Sequence, residues 1–424
     1  MSKRSLIPLI LAALMMLPAC GGKVAPSHPN WLDRAPDFSE KYYLTEAVVL
    51  SRHNIRSPLS GRGSVLSQIT PHEWFAWTSA PAELSRKGGI LETQMGQFFA
   101  QWMESEGLIT RNYIPGGNEI FFYANSKQRT MATAQYFSGG MLPVANVRIR
   151  HDCEVDAMDP VFHPQITRDD SAFVATATSQ IAAMGGSDGM AGLGQRVSGN
   201  IKVLEKVLDA PSHICTDDAS VTLPIWDEPA MTGGLKAANS AADALILQYY
   251  EEPDLRKAAF GHRISRKDWE SVAEIKDWYG DILFTAPSVA CNVAHPLLET
   301  LLGELRAEGR KFSFLCGHDS NVGSVLAALQ NEDYVLPDAI EKKTPIGCKL
   351  VFGKYQGKDG KEYADIHLIY ASDTQLREMQ ALSLDNPPAC FRIQLKDLKA
   401  NEDGLYLLPD LESRIQEAID NYYL

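Results

Sequence analysis

Arg52, His53 and Arg56 crowd together in VLSRHNIRSPL, residues 49–59, where an apolar and partly β-branched run ends. A core strand has no use for three such side chains, because buried charge is costly unless something opposite pairs with it. The local sequence offers no partner, which points to a ligand. Two more clusters follow the same plan, each after a strand-like run: NSKQRT (125–130) after EIFFYA, and GHDSN (317–321) after FSFLC. They add Arg129, His318 and Asp319. Open α/β sheets hold ligands beyond the C-terminal ends of their strands, so three such clusters can share one site.

The combination suits phosphoryl chemistry. Guanidinium forks match a tetrahedral oxyanion through paired hydrogen bonds. Three of them can grip the non-transferring oxygens and balance the charge, which is most of what phosphoryl transfer needs. A neutral imidazole can attack phosphorus and hold the group covalently. A carboxylic acid can protonate the departing alkoxide. This chemistry needs no metal and no cofactor, and the sequence has no evident carboxylate cage for one. Taken singly, each feature also has a plain structural reading. His53 could be a core histidine. Asp319 or Ser320 could cap the helix-like VGSVLAAL. NSKQRT resembles any polar strand-to-helix turn. The joint pattern, R-H-x-x-R-x-P after one strand, an arginine after the next and H-D after a late strand, is specific.

The elements that must position these groups are legible. EAVVLSRH (46–53), EIFFYAN (119–125), FSFLCGH (312–318), CKLVFGKY (348–355) and ADIHLIYAS (364–372) read as strands. Residues 84–108 read as a long amphipathic helix with Leu91, Met95, Phe98, Phe99 and Trp102 at helical spacing for the core. Between 151 and 285 the texture turns helical, as in 198–210, 234–252 and 269–283; the helix at 292–309 then returns to a strand. The expectation is an α/β fold: an open mixed sheet flanked by helices, formed by 37–150 and 286–424, with a mainly helical cap inserted at 151–285. A cleft between two such parts is a usual ligand site.

Ahead of this lies a charged, then apolar segment, with Lys3 and Arg4 before LIPLILAALMMLP. It reads as a signal peptide over 1–19, too short to span a bilayer as a folded helix. It ends in LPAC, the pattern of a bacterial lipoprotein cleavage site, so Cys20 is the expected lipidation site and 20–36 a flexible tether. Gly21, not aspartate, follows Cys20. The expected place is the bacterial cell envelope, with the protein lipid-anchored to the outer membrane and facing the periplasm; surface exposure or a soluble periplasmic form are the alternatives. The formal net charge of the 424 residues is −13, and removal of Lys3 and Arg4 makes it more negative. That argues against nucleic acid as a partner. Any attraction for an anion must come from the local cluster. Six further cysteines, Cys153, Cys215, Cys291, Cys316, Cys348 and Cys390, permit up to three disulfides in an exported chain, with the pairing open. No cysteine–histidine spacing suggests zinc.

The pattern resembles the histidine acid phosphatases, the large-insert branch of the histidine phosphatase superfamily. The shared features are R-H-x-x-R-x-P near the start and H-D late. Asn54 departs from the glycine usual at that place and is similar to the periplasmic glucose-1-phosphatases among them. GSVL (63–66), KGGILE (87–92), YANSKQRTMATAQ (123–135), MDPVFHPQIT (158–167), LQYYEE (247–252), GHDSN and TPIGCKLVF (344–352) resemble the same group. The resemblance covers nearly the whole chain after the tether. It implies His53 as nucleophile, Asp319 as proton donor, and Arg52, Arg56, Arg129 and His318 as the phosphate pocket. It also implies Glu251 at the far end of the substrate, with Glu252 and Asp254 nearby. The expected activity is a metal-independent acid phosphomonoesterase that forms a phosphohistidine and takes a small phosphomonoester, a hexose 1-phosphate before phytate. The alternatives are a phytase-like inositol polyphosphate phosphatase or a non-catalytic lipoprotein that captures sugar phosphates.

Overall fold

The computed structural model describes residues 31–59, 64–215 and 218–423. The expected signal peptide, Cys20 and the first part of the tether lie outside them. The rest of the tether does not stay free. Trp31 meets Phe98 edge-on at 4.8 Å, Leu32 is buried, and Arg34 pairs with Glu106 at 2.6 Å. Two apolar side chains find the core here, so Trp31 and Leu32 are docked against the sheet's helices and are not free tether.

The strands, in chain order, are β1 (Tyr42–Arg52), β2 (Ile120–Ala124), β3 (Ser220–Thr222), β4 (Ala230–Thr232), β5 (Phe312–Gly317), β6 (Lys349–Gly357), β7 (Glu362–Tyr370), β8 (Ala389–Arg392) and β9 (Tyr406–Leu407). Seven form one mixed sheet in the order β2-β5-β1-β6-β7-β8, with β9 also on β7; β3 and β4 form a separate hairpin. β2, β5 and β1 run parallel, while β6, β7 and β8 return antiparallel. The fold is thus mixed α/β with a sheet flanked by helices.

Alternation along β1 explains why the sheet sits in the middle. Ala47 and Val49 enter one apolar cluster, Val48 and Leu50 the other, and all four are fully buried. A strand with both faces covered reads as a continuous apolar run. One face is covered by helix Arg86–Ser105, capped by Ser85, whose Oγ accepts from Gly88 N, and by helix Gln128–Met141. The other is covered by helices Pro287–Leu305, Asp319–Ala328 and Leu408–Asp420.

Between β2 and β5 come helices Ser171–Met184, Ser198–Leu208, Gly234–Glu251 and Arg266–Phe284. Their apolar faces, including Ile201, Leu245, Trp269 and Ile282, belong to the same cluster as Phe98 and Phe314. The helical segment therefore shares its core with one face of the sheet. All six described cysteines are unpaired: Cys291, Cys316 and Cys348 are buried thiols, and none of the permitted disulfides forms. No described helix is long and apolar enough to cross a membrane.

Candidate active site

Parallel register brings the three clusters together. Arg52 at the end of β1 is aligned with Gly317 at the end of β5, and Ala124 at the end of β2 with Cys316. The chain then leaves all three strands on one edge. His53 N donates to Gly317 O at 3.1 Å and Asn125 N to Cys316 O at 2.9 Å, which carries the pairing one residue past the strands. A cleft of about 1380 Å³ opens there, lined by His53, Arg56, Arg129, His318 and Asp319.

His53 is buried, and its Nδ1 lies 2.9 Å from Asn54 O. A carbonyl only accepts, so Nδ1 holds the proton and Nε2 holds the lone pair. Burial first, then the charges of Arg129 and Arg56, hold this imidazole well below its ordinary pKa. It is neutral in the resting site. His318 is fixed in a complementary way. Asn125 Oδ1 accepts from Asp159 N, which turns Asn125 Nδ2 toward His318 Nε2 at 2.7 Å. Nε2 of His318 is then an acceptor and its Nδ1 carries the hydrogen. Burial and Arg129 lower its pKa as well. The two rings stand edge to face with centroids 5.4 Å apart.

The arginines are held from behind. Arg52 pairs with fully buried Glu341 at 2.7 Å, and Arg56 with Asp243 at 3.1 Å. Burial and the neighbouring Arg56 depress Arg129 to about 10. The Nε–H groups of Arg52, Arg56 and Arg129 are buried with no protein acceptor among the described residues. An anion can supply what they lack.

Asp319 is the first residue of helix Asp319–Ala328, whose N-cap position is His318; its Oδ1 accepts from Ser320 N at 3.0 Å, so neither Asp319 nor Ser320 is the N-cap. Its Oδ2 lies 2.6 Å from Lys276 Nζ and 3.4 Å from Arg52. Burial pushes this carboxyl up, but Lys276 and Arg52 outweigh it and hold the group well below the usual carboxylate range. Lys276 also lies 3.5 Å from Glu341.

Asn54 has a structural duty. Its Nδ2 donates to Glu92 at 2.8 Å, and Glu92 pairs with Lys349 at 2.8 Å, both fully buried. Gly347 sits at φ +68°, where a Cβ would meet Asn54 Nδ2 at 2.5 Å. Gly88 lets helix Arg86–Ser105 approach the loop, since a Cβ there would meet Ile55 O at 2.4 Å. The RHNIR turn is thus clamped from two sides.

Six of the sequence-derived residues converge: Arg52, His53, Arg56, Arg129, His318 and Asp319. Glu251 does not. It accepts from Ser85 Oγ at 2.9 Å near Lys87 and lies outside the cleft lining. The cleft carboxylate on the same helix is Asp243, eight residues and roughly 12 Å earlier along the axis. Asp227 and Glu228, between the hairpin strands, also line the cleft. Burial, together with Asp227 and Asp319, raises the pKa of Glu228. Lys276, Glu341, Asp243 and Glu228 had no sequence signal beyond their type, because each comes from a helix or loop remote from the motifs.

This site and sheet define the class. The chain belongs to the histidine phosphatase superfamily (branch 2), whose family profile matches residues 43–187, and it is a histidine acid phosphatase-type hydrolase. It is 36% identical to the glucose-1-phosphatase of Salmonella typhimurium, over 91% of this chain and 95% of that one. It is 34% identical to the glucose-1-phosphatase of Providencia rettgeri, over 99% of this chain and 100% of that one. Among solved structures, the phytase of Citrobacter braakii superposes with a TM-score of 0.81 at 22% identity, over 89% of this chain and 98% of that one, a likeness of fold.

Proposed function

We propose that the protein hydrolyses a hexose 1-phosphate, glucose 1-phosphate first, through a phosphohistidine on His53. The observation that carries this is the Nδ1–Asn54 O contact of 2.9 Å, which leaves Nε2 as the lone pair of a neutral ring among three arginines. Nε2 attacks phosphorus. The N–P bond forms as the bond from phosphorus to the sugar oxygen breaks, and Asp319 gives that oxygen its proton. Water then attacks phosphorus, Asp319 takes a proton from it, and the N–P bond breaks. Arg52, Arg56, Arg129 and the Nδ1–H of His318 hold the phosphoryl oxygens throughout.

Asp319 rests as a carboxylate against Lys276 and Arg52. A phosphate dianion competes for both cations and adds negative charge beside the carboxyl, which raises its pKa and recruits the proton. The substrate thereby loads its own acid. The presence of both His53 and Asp319 in the cleft disfavours a purely binding role.

Choice of substrate follows from the cleft walls. The cations balance one phosphoryl group, while phytate brings five more. Asp227, Glu228 and Asp243 would meet them. Like charges a few ångströms apart in such a cleft oppose each other by about 1–4 kcal/mol. Carboxylates also accept hydrogen bonds from sugar hydroxyls. The likeness to two glucose-1-phosphatases at 36% and 34%, against 24% to an Escherichia coli phytase, supports the same choice. The test compares kcat/KM for glucose 1-phosphate and phytate in wild type and Glu228→Gln. The expected result is a wild-type preference for the sugar phosphate and a relative gain for phytate in the variant. A wild-type preference for phytate overturns the assignment. The lipid on Cys20 stays part of this proposal on sequence grounds, and fatty-acid labelling that persists in Cys20→Ser would refute it.

A further inference from the structure

Outside the cleft, three residues far apart in sequence meet at one point. His72 Nε2 lies 2.8 Å from Asp209 Oδ2, and His262 Nε2 lies 2.9 Å from the same oxygen. All three ligand-type atoms fall within 4.8 Å of one another. None of the three residues lines the cleft.

Each comes from a different segment, and each is braced. His72 stacks on Phe260 with ring centroids 4.9 Å apart and 10° between the planes, and Trp74 meets Phe260 edge-on at 5.2 Å. Thr70 ties the same loop to the end of helix Ser198–Leu208 through Oγ1 to Leu208 O at 2.5 Å. Asp209 ends that helix in the left-handed region, φ +46°, a conformation aspartate tolerates better than most residues. His262 closes the turn after Gly261, its N donating to Ala259 O at 2.9 Å.

We propose that His72, Asp209 and His262 bind one divalent transition-metal ion of the zinc class, which clamps the loop after the RHNIR motif to the helical segment. Two imidazoles and a carboxylate are a donor set that suits zinc and its neighbours, not magnesium or calcium. A tautomer change moves each ring proton to Nδ1 and turns Nε2 into a lone-pair ligand. Metal–ligand bonds of about 2.0–2.1 Å need ligand atoms a little over 3 Å apart. The two Nε2–Oδ2 distances of 2.8 and 2.9 Å therefore need only a small opening. The ring pair, with centroids 6.4 Å apart, must close slightly. Asp209 is exposed and the two histidines are partly buried, so water can complete the shell and the ion can enter. The residues are 137 and 53 positions from Asp209, which is why no sequence spacing marks them.

The test uses the EDTA-treated protein titrated with zinc by calorimetry, and with cobalt(II) by visible absorption. His72→Phe keeps the stack on Phe260 and removes a ligand; His262→Gln keeps a hydrogen bond to Asp209 and removes the other. The expected result is one zinc per chain with micromolar affinity or better, and a cobalt spectrum of low-coordinate nitrogen and oxygen ligation. The thermal midpoint should rise with zinc in wild type. Each variant should weaken binding at least tenfold and lose the midpoint rise, with p-nitrophenyl phosphate turnover in the absence of added metal unchanged. Zinc affinity equal in wild type and both variants, or no binding by wild type at micromolar zinc, overturns the proposal.

Discussion

Lys276→Met tests how the proton donor is set. The substitution keeps the length of a side chain on helix Arg266–Phe284 and removes its charge. Lys276 Nζ lies 2.6 Å from Asp319 Oδ2. Two unit charges at that distance attract by about 6 kcal/mol at an effective dielectric of about 20. The Asp319 side chain is 34% exposed, so solvent screening reduces this to about 2–3 kcal/mol. At 1.36 kcal/mol per pH unit, the Asp319 pKa should rise by about 2 units. Arg52 stays at 3.4 Å and keeps part of the depression. The sign follows from the role. A general acid is lost as pH rises through its pKa, so a higher pKa extends activity upward. The assay is the pH profile of kcat for an alkyl phosphate, with p-nitrophenyl phosphate as control. The alkaline limb should move up by about 1–2 units for the alkyl ester. It should move much less for the nitrophenyl ester, whose leaving group departs without a proton. An alkaline limb that stays in place for the alkyl ester would refute the reasoning, because Lys276 would then not control that proton.

Arg129→Met removes the largest charge contribution to the depressed pKa of His53, so that pKa should rise. The acid limb of kcat/KM should then shift to higher pH, since less of the ring is neutral at low pH; an unmoved limb would separate Arg129 from His53. Lys349→Met strands fully buried Glu92, whose pKa burial already raises. Urea unfolding at neutral pH should show a loss of roughly 3–5 kcal/mol, narrowing as pH falls because a protonated Glu92 is cheaper to bury. A loss below about 1 kcal/mol would mean that the pair is solvated, contrary to its burial. Glu251→Ala should leave the ratio of glucose 1-phosphate to phytate turnover unchanged, as its carboxylate faces Ser85 and not the cleft; a changed ratio would return it to the site.

Much of this was legible because the chemistry rides on strands. β1, β2, β5, β6 and β7 were each readable as short apolar runs, and the motif at the end of each parallel strand showed where their ends meet. What could not be read has a physical reason in each case. Helix Gly234–Glu251 is apolar over most of its surface, so its phase toward the cleft is hidden in the sequence; the resemblance implies Glu251 and gives no sign of Asp243. Lys276 sits in a helix rich in charges, where one more lysine reads as solvated; only tertiary packing sets it against Asp319 and Glu341. β8 and β9 are four and two residues long, too short for period-two alternation to register. GGKVAPSHPN just ahead of Trp31 and Leu32 makes them look like tether in the sequence, yet their apolar area is enough to dock them.

The central claim is covalent catalysis by His53, and rapid quench with phosphorus-labelled glucose 1-phosphate tests it most directly. Wild type should yield an acid-labile, alkali-stable protein phosphate approaching one per site, mapping to the peptide that holds His53. His53→Ala should yield none while still binding inorganic phosphate through Arg52, Arg56 and Arg129. Absence of any trapped phosphate in wild type, joined to inversion at a chiral phosphorus, would contradict the account, because water would then attack the substrate directly.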